Sequence, residues 1–271
     1  MIVNSANIKY KAQDLPAPRP SWEQNRTYEN YLELLRPSRN YIEFIDFLTM
    51  PTTSVILDIG FGEGHFLNYI KHKRPDIETV GVAVSNCKKS LYKNIDFIFI
   101  QKIPEDLTIL TQYIERIDVI TDVFGAATYA TNPLHALIYS SFLLKPKGYY
   151  FSISSLIPEY ENLSCFGDAR TRKKIQHFFQ EHLGIQLFFE KKEVKSKVEL
   201  LIYFEKSLIQ TRHELSSYNK IIKFANEEIG MPNEINSWKP FTGKFKIISY
   251  EYIKYGFCGR TPKSVRSDLI S

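Results

Sequence analysis

Ser54-Val55-Ile56-Leu57-Asp58-Ile59-Gly60-Phe61-Gly62-Glu63-Gly64-His65-Phe66 reads as a buried strand, a turn of alternating glycines and the start of a helix. A short apolar run with little polar relief suits a central strand of a parallel sheet covered on both faces. Three glycines at alternate positions strip the side chains from the strand-to-helix turn. A ligand can then lie against backbone, and the following helix can pack close to the strand. The dinucleotide fingerprint is a different pattern, since it needs a third glycine where His65 stands. No Gly-Lys-Ser/Thr follows, so a phosphate-cradling loop is excluded as well.

The chain around this turn has 271 residues, of which 44% are hydrophobic and 14% aromatic, enough for a sizeable core. Its 35 basic and 30 acidic residues leave a net charge of +5, a mild bias that permits acidic partners without arguing for them. Cys87, Cys165 and Cys258 are far apart in sequence and form no Cys-x-x-Cys, which disfavours a disulfide framework or structural zinc. Met1 to Asp14 contain no apolar run of signal length, and no segment has the consecutive apolar residues of a membrane span. The expectation is a cytoplasmic enzyme with no membrane span and no metal; the oligomeric state is left open.

Asp-x-Gly-x-Gly-x-Gly after a hydrophobic strand resembles motif I of the class I S-adenosylmethionine-dependent methyltransferases. The resemblance implies an α/β, Rossmann-like fold. Its seven-stranded, mostly parallel sheet is flanked by helices, with N-terminal helices and a small C-terminal extension added. It implies that Gly60, Phe61, Gly62 and Gly64 lie under the amino acid and ribose portions of S-adenosylmethionine, and that Asp58 helps hold the methionine ammonium. A zwitterionic sulfonium gains from a carboxylate near its cationic end, as a pyrophosphate would not.

Three segments follow from this frame. Residues 1–49 read as an N-terminal arm and helices on the substrate side. Leu15-Pro16-Ala17-Pro18-Arg19-Pro20 cannot be helical, Ser21 is placed to cap a helix carrying Tyr28, Tyr31, Leu32, Leu34 and Leu35, and a second helix is expected over Arg39 to Thr49. Residues 50–206 read as the cofactor-binding domain. After a helix over His65–Lys73, strands are expected at Thr79–Val84, Ile95–Ile100, Ile117–Phe124 and Tyr149–Ser155. Asn132-Pro133 opens a helix before the last of these, and Asp168 caps a basic one after it. Gln186–Val194 and Val198–Lys206 alternate as a pair of strands, which matches the reversed final strands of the resembled fold. Residues 207–271 are an extension with ten Lys or Arg and six Asp or Glu, in which Phe245–Tyr252 alternates like a strand.

The second strand departs from the family. Its usual acid for the ribose hydroxyls is replaced at Ala83 or Val84. The resemblance of Val84-Ser85-Asn86 to the cyclopropane fatty acid synthase-like variant assigns that contact to Ser85 or Asn86. Glu105 and Asp106 stand where the family reads the adenine, and the same acids also suit the first turn of a helix. Ligands in open α/β sheets sit beyond the carboxyl ends of the strands. Asp122 to Tyr129 is therefore the place to look for substrate contacts, with Asp122 counted among both the cofactor and the catalytic candidates.

Methyl transfer from a sulfonium is an in-line displacement at an activated carbon, so positioning carries most of the work. Should the acceptor hold its proton, the candidate bases are Tyr129, Asp122 and His135. His213-Glu214 lacks a second histidine at zincin spacing, and no Gly-x-Ser-x-Gly occurs. Loop-rich strand ends and modest charge favour a small-molecule acceptor, with S-adenosylhomocysteine as co-product. Arg170, Arg172, Lys173 and Lys174, together with the basic aromatic tail, point to RNA or protein as the alternative acceptor. Loss of the ribose acid at Ala83 keeps a non-catalytic interaction protein as a third reading.

Overall fold

The computed structural model describes residues 26–83, 94–100, 110–129, 133–155, 166, 169–194, 197–207 and 215–229. Seven strands form one sheet: β1 (Val55–Ile59), β2 (Glu78–Ala83), β3 (Phe97–Ile100), β4 (Ile117–Val123), β5 (Leu144–Ser155), β6 (Phe188–Val194) and β7 (Lys197–Glu205). Their order is β3-β2-β1-β4-β5-β7-β6. The first five run parallel, and β7 lies antiparallel to both of its neighbours. The fold is Rossmann-like. Six α-helices accompany the sheet among the described residues: α1 (Tyr28–Leu35), α2 (His65–Lys73), α3 (Ala126–Tyr129), α4 (Pro133–Leu143), α5 (Ala169–Leu183) and α6 (Leu215–Ile229).

The central strands are buried on both faces, so their side chains alternate between two apolar clusters. Val55, Leu57 and Ile59 of β1 join Ile117 and Ile120 of β4 under α4, α5 and α6. Ile56 of β1 and Val119 and Val123 of β4 point the other way, to α1 and α2. Leu134 and every residue of α4 from Ala136 to Leu143 are buried, as befits a helix that is apolar all round. Residues 215–229 of the expected extension form a helix whose Ala225 and Ile229 share the same core.

The expected elements hold their places with small shifts at their ends, and α2 has the bounds expected of it. Strand β5 begins earlier than expected, at Leu144, and breaks register between the pairings Ile117↔Leu144 and Val119↔Tyr149. One element is corrected. No helix forms over residues 39–49, which run as bends and a turn. Ile42, Phe44, Ile45, Phe47 and Leu48 have helical spacing, yet they pack on the core from irregular backbone. The local polar bonds explain this. Asp46 accepts from the Leu48 N–H at 3.0 Å and from the Tyr28 hydroxyl at 2.5 Å, an Asx-type arrangement that competes with helix.

Helix α1 starts at Tyr28, with Thr27 as its cap in a reciprocal capping box with Asn30. Ser21, expected as the cap, lies outside the described residues, as do Asp168 and Phe245–Tyr252.

Candidate cofactor site at the carboxyl edge of the sheet

The glycine turn leaves β1 with Gly60, Gly62 and Gly64 at φ +78°, +58° and +76°. These are left-handed conformations that side chains resist. Two of the glycines also answer to close contacts within the chain. A Cβ on Gly60 would lie 2.7 Å from the Cα of Gly125, and one on Gly64 would lie 2.8 Å from Cδ1 of Ile95. The Gly60 N–H donates to the Val82 carbonyl at 2.7 Å, which ties the turn to the end of β2. Phe61 is buried with its ring against Gly81, where a Cβ would stand 2.8 Å from the ring, so only its backbone remains to meet a ligand. No side chain caps α2, whose first turn carries no acid.

Asp58 and Asp122 are both fully buried, on adjacent strands and facing opposite sides of the sheet. Asp58 accepts from the Tyr31 hydroxyl of α1 at 2.7 Å and from the Thr121 hydroxyl of β4 at 2.8 Å. Its partner across the sheet is Thr121 itself. Tyr31 is held in turn by stacking on Phe66 of α2, with centroids 3.9 Å apart and planes within 5°. Asp122 accepts from the Gly125 and Ala127 N–H groups, each at 2.8 Å, and from the Tyr150 hydroxyl at 3.2 Å. It acts there as the acceptor for the start of α3, for which the chain must turn sharply. Burial pushes both carboxyls up to about 7, against the lowering effect of those donors.

The end of β4 meets the glycine turn directly. Phe124 sits at φ +53°, and its N–H donates to the Ile153 carbonyl at 2.9 Å. A Cβ on Gly125 would stand 2.2 Å from the Ile59 carbonyl oxygen. A left-handed phenylalanine costs on the order of 1–3 kcal/mol and persists only where its surroundings over-determine it. The Arg26 guanidinium carbon lies 4.9 Å from the Phe124 ring centroid, and its charge favours the ionised form of Asp58.

Asp58, Gly60, Phe61, Gly62, Gly64 and Asp122 are thus brought to one edge of the sheet. Tyr129 ends α3, and His135 lies part-buried in the first turn of α4. Ser85, Asn86, Glu105 and Asp106 lie outside the described residues. Arg26 and Thr121 were not among the residues singled out from the sequence, and Tyr31 was expected only as a residue of the first helix. Thr121 was legible in principle, as a hydroxyl inside an apolar strand, whereas Tyr31 and Arg26 carry no local signal. Among the described residues no group of three His, Cys, Asp or Glu side chains could hold a metal ion. No helix there is long and apolar enough to cross a membrane.

No protein-family model matches this sequence, and no curated protein matches it either. Solved structures similar to it include the aminoglycoside resistance methyltransferase NpmB1. That likeness has 14% identity, covers 66% of this chain and 93% of that one, and has a TM-score of 0.41. Another is precorrin-6y C5,15-methyltransferase from Geobacter metallireducens GS-15, at 14% identity, with 72% and 96% covered and a TM-score of 0.42. Likenesses at this level leave function to the chain's own geometry.

Proposed function

We propose that this chain binds S-adenosylmethionine at the carboxyl edge of β1 and β4 and transfers its methyl group to an acceptor. The observation that carries the reading is the turn itself. Three left-handed glycines follow a strand whose aspartate is fully buried, and the turn touches the end of the neighbouring strand. The donor set suits a zwitterionic ligand, with a carboxylate and a guanidinium at one edge.

When bound, S-adenosylmethionine supplies a methyl group already activated on a sulfonium. Gly60, Phe61, Gly62 and Gly64 offer backbone against the amino acid and ribose portions. Asp58, oriented by Tyr31 and Thr121, supplies negative potential for the ammonium. The ribose contact falls to Ser85 or Asn86, and the adenine end to Glu105 and Asp106. Asp122 shapes the Phe124–Gly125 turn that closes the site from the β4 side. Tyr129 and His135 are the proton acceptors on offer if the acceptor atom carries a proton, with Asp122 third because its oxygens are already engaged.

A small molecule is the acceptor that the modest net charge favours. One observation supports a nucleic-acid acceptor as the second reading. Arg170, Lys173 and Lys174 are exposed in the first turns of α5, where no acid offsets them. Helix α5 leads to the start of β6, and β6 runs parallel to β5 through their shared antiparallel partner. The basic end of α5 therefore lies at the carboxyl edge too. RNA binding that weakens steeply with salt would favour this second reading.

The test of the main reading is calorimetric titration with S-adenosylmethionine and S-adenosylhomocysteine, on the wild type and on Gly62→Arg. Binding by the wild type that the variant loses is the expected result. A folded wild type that binds neither would move the interaction-protein reading to the front.

A further inference from the structure

One charge at the carboxyl edge has no answer within the described chain. Arg26 precedes the Thr27 cap of α1, is part-buried, and forms no ion pair among the described residues. A guanidinium drawn partly out of water ordinarily meets a carboxylate or phosphate through its planar fork. Asp58 feels the charge of Arg26, yet both Asp58 oxygens are taken by the Tyr31 and Thr121 hydroxyls. Asp122 is engaged in the same way by Gly125, Ala127 and Tyr150. Among the described residues Asp58 and Asp122 are satisfied, and Arg26 forms no ion pair.

The place of Arg26 is also fixed by packing. Its guanidinium lies over the ring of Phe124, the residue held in a left-handed conformation, and the adjoining Gly125 lies against Gly60 of the glycine turn. An anion drawn to Arg26 would therefore sit at the junction of the β1 and β4 turns. Of the groups that S-adenosylmethionine carries, the sulfonium and ammonium are cationic and the ribose and adenine are neutral. Only the carboxylate is an anion.

Resting on the cofactor reading above, we propose that Arg26 forms a carboxylate subsite, holding the α-carboxylate of the cofactor's amino acid portion. Asp58 and Arg26 then divide the zwitterion between them, one facing each charge. The cation–π contact with Phe124 limits where the guanidinium lies before the ligand arrives, which lowers the ordering cost of binding.

The experiment compares S-adenosylhomocysteine with its decarboxylated analogue by calorimetry, using the full chain as wild type, Arg26→Gln and Arg26→Lys. A hydrogen-bonded charge pair predicts that the wild type prefers the carboxylate-bearing ligand by about tenfold or more. The Gln variant brings that ratio close to one, and the Lys variant, which keeps the charge without the fork, falls between. Thermal unfolding of each variant checks that it is folded. A folded Arg26→Gln protein that keeps the wild-type ratio overturns the subsite and leaves the cofactor reading standing. A wild-type ratio near one overturns it without any variant. A wild type that binds neither ligand overturns the cofactor reading and the subsite together.

Discussion

Asp58 and Asp122 are near twins by position and opposites by partner. Each is fully buried near the carboxyl end of a central parallel strand, and burial raises each to about 7. Asp122 is answered mainly by its own turn, from N–H groups three and five residues onward. Asp58 is answered by hydroxyls 27 and 63 residues away, on a helix and on a neighbouring strand. One acid therefore shapes a local bend, and the other joins three elements. A buried carboxylate satisfied from nearby backbone is a matter of turn geometry. One satisfied only through tertiary contacts marks a place where the fold has been assembled around it.

The largest effect is expected where the two turns touch. Gly125→Ala would place a methyl 2.2 Å from the Ile59 carbonyl oxygen and 2.6 Å from Asp122 Oδ1. The first of these is backbone and cannot swing aside, so a loss of about 3 kcal/mol is expected from urea denaturation. An unchanged midpoint would mean that the contact between the two strand ends is not as described. Next comes Asp122→Asn, which keeps the shape but replaces one acceptor oxygen with a donor facing N–H groups. A loss of roughly 1–3 kcal/mol is expected, independent of α1.

Asp58→Asn should show the smallest loss and a change that depends on pH. The folded state keeps a proton on Asp58 up to about 7, whereas the unfolded chain releases it near the ordinary value of 3.8. Between those values the unfolded state binds fewer protons, so the wild type loses stability from this group as pH rises. The asparagine variant has no such group. Its stability relative to wild type should therefore improve from about pH 4 to about pH 7, as measured by denaturation across that window. A difference that stays flat with pH would show that burial does not raise Asp58.

Much of the sheet was legible because local chemistry and tertiary placement agree there. The apolar runs of β1 and β4 are buried on both faces, and the alternating pair β6 and β7 is where its pattern put it. Residues 39–49 misled because apolar spacing alone cannot tell a helix from an irregular segment pressed onto a core. Asp46, bonding to Leu48 and Tyr28, decides that case. In the candidate site the glycine turn was legible, but part of its reason was not. Gly60 is small because Gly125, 65 positions later, lies against it, and nothing local to either glycine announces the meeting. The same holds for Tyr31 and Arg26, whose roles depend on where α1 comes to rest.

Where α1 comes to rest depends on residues made much later. Lys192 of β6 donates from its Nζ to the carbonyls of Glu33, Leu34 and Arg36, and the Ser38 N–H donates to Glu190 at 2.8 Å. Among the described strands β6 is at the edge and pairs with β7, which reaches the rest of the sheet through β5. During synthesis the strand that clasps the end of this helix therefore emerges about 150 residues after it. Until then the stacked Tyr31 and the buried Asp58 have a helix above them with a free carbonyl terminus. The end of α1, early in the chain, is thus held in part by side chains of a strand much further along it.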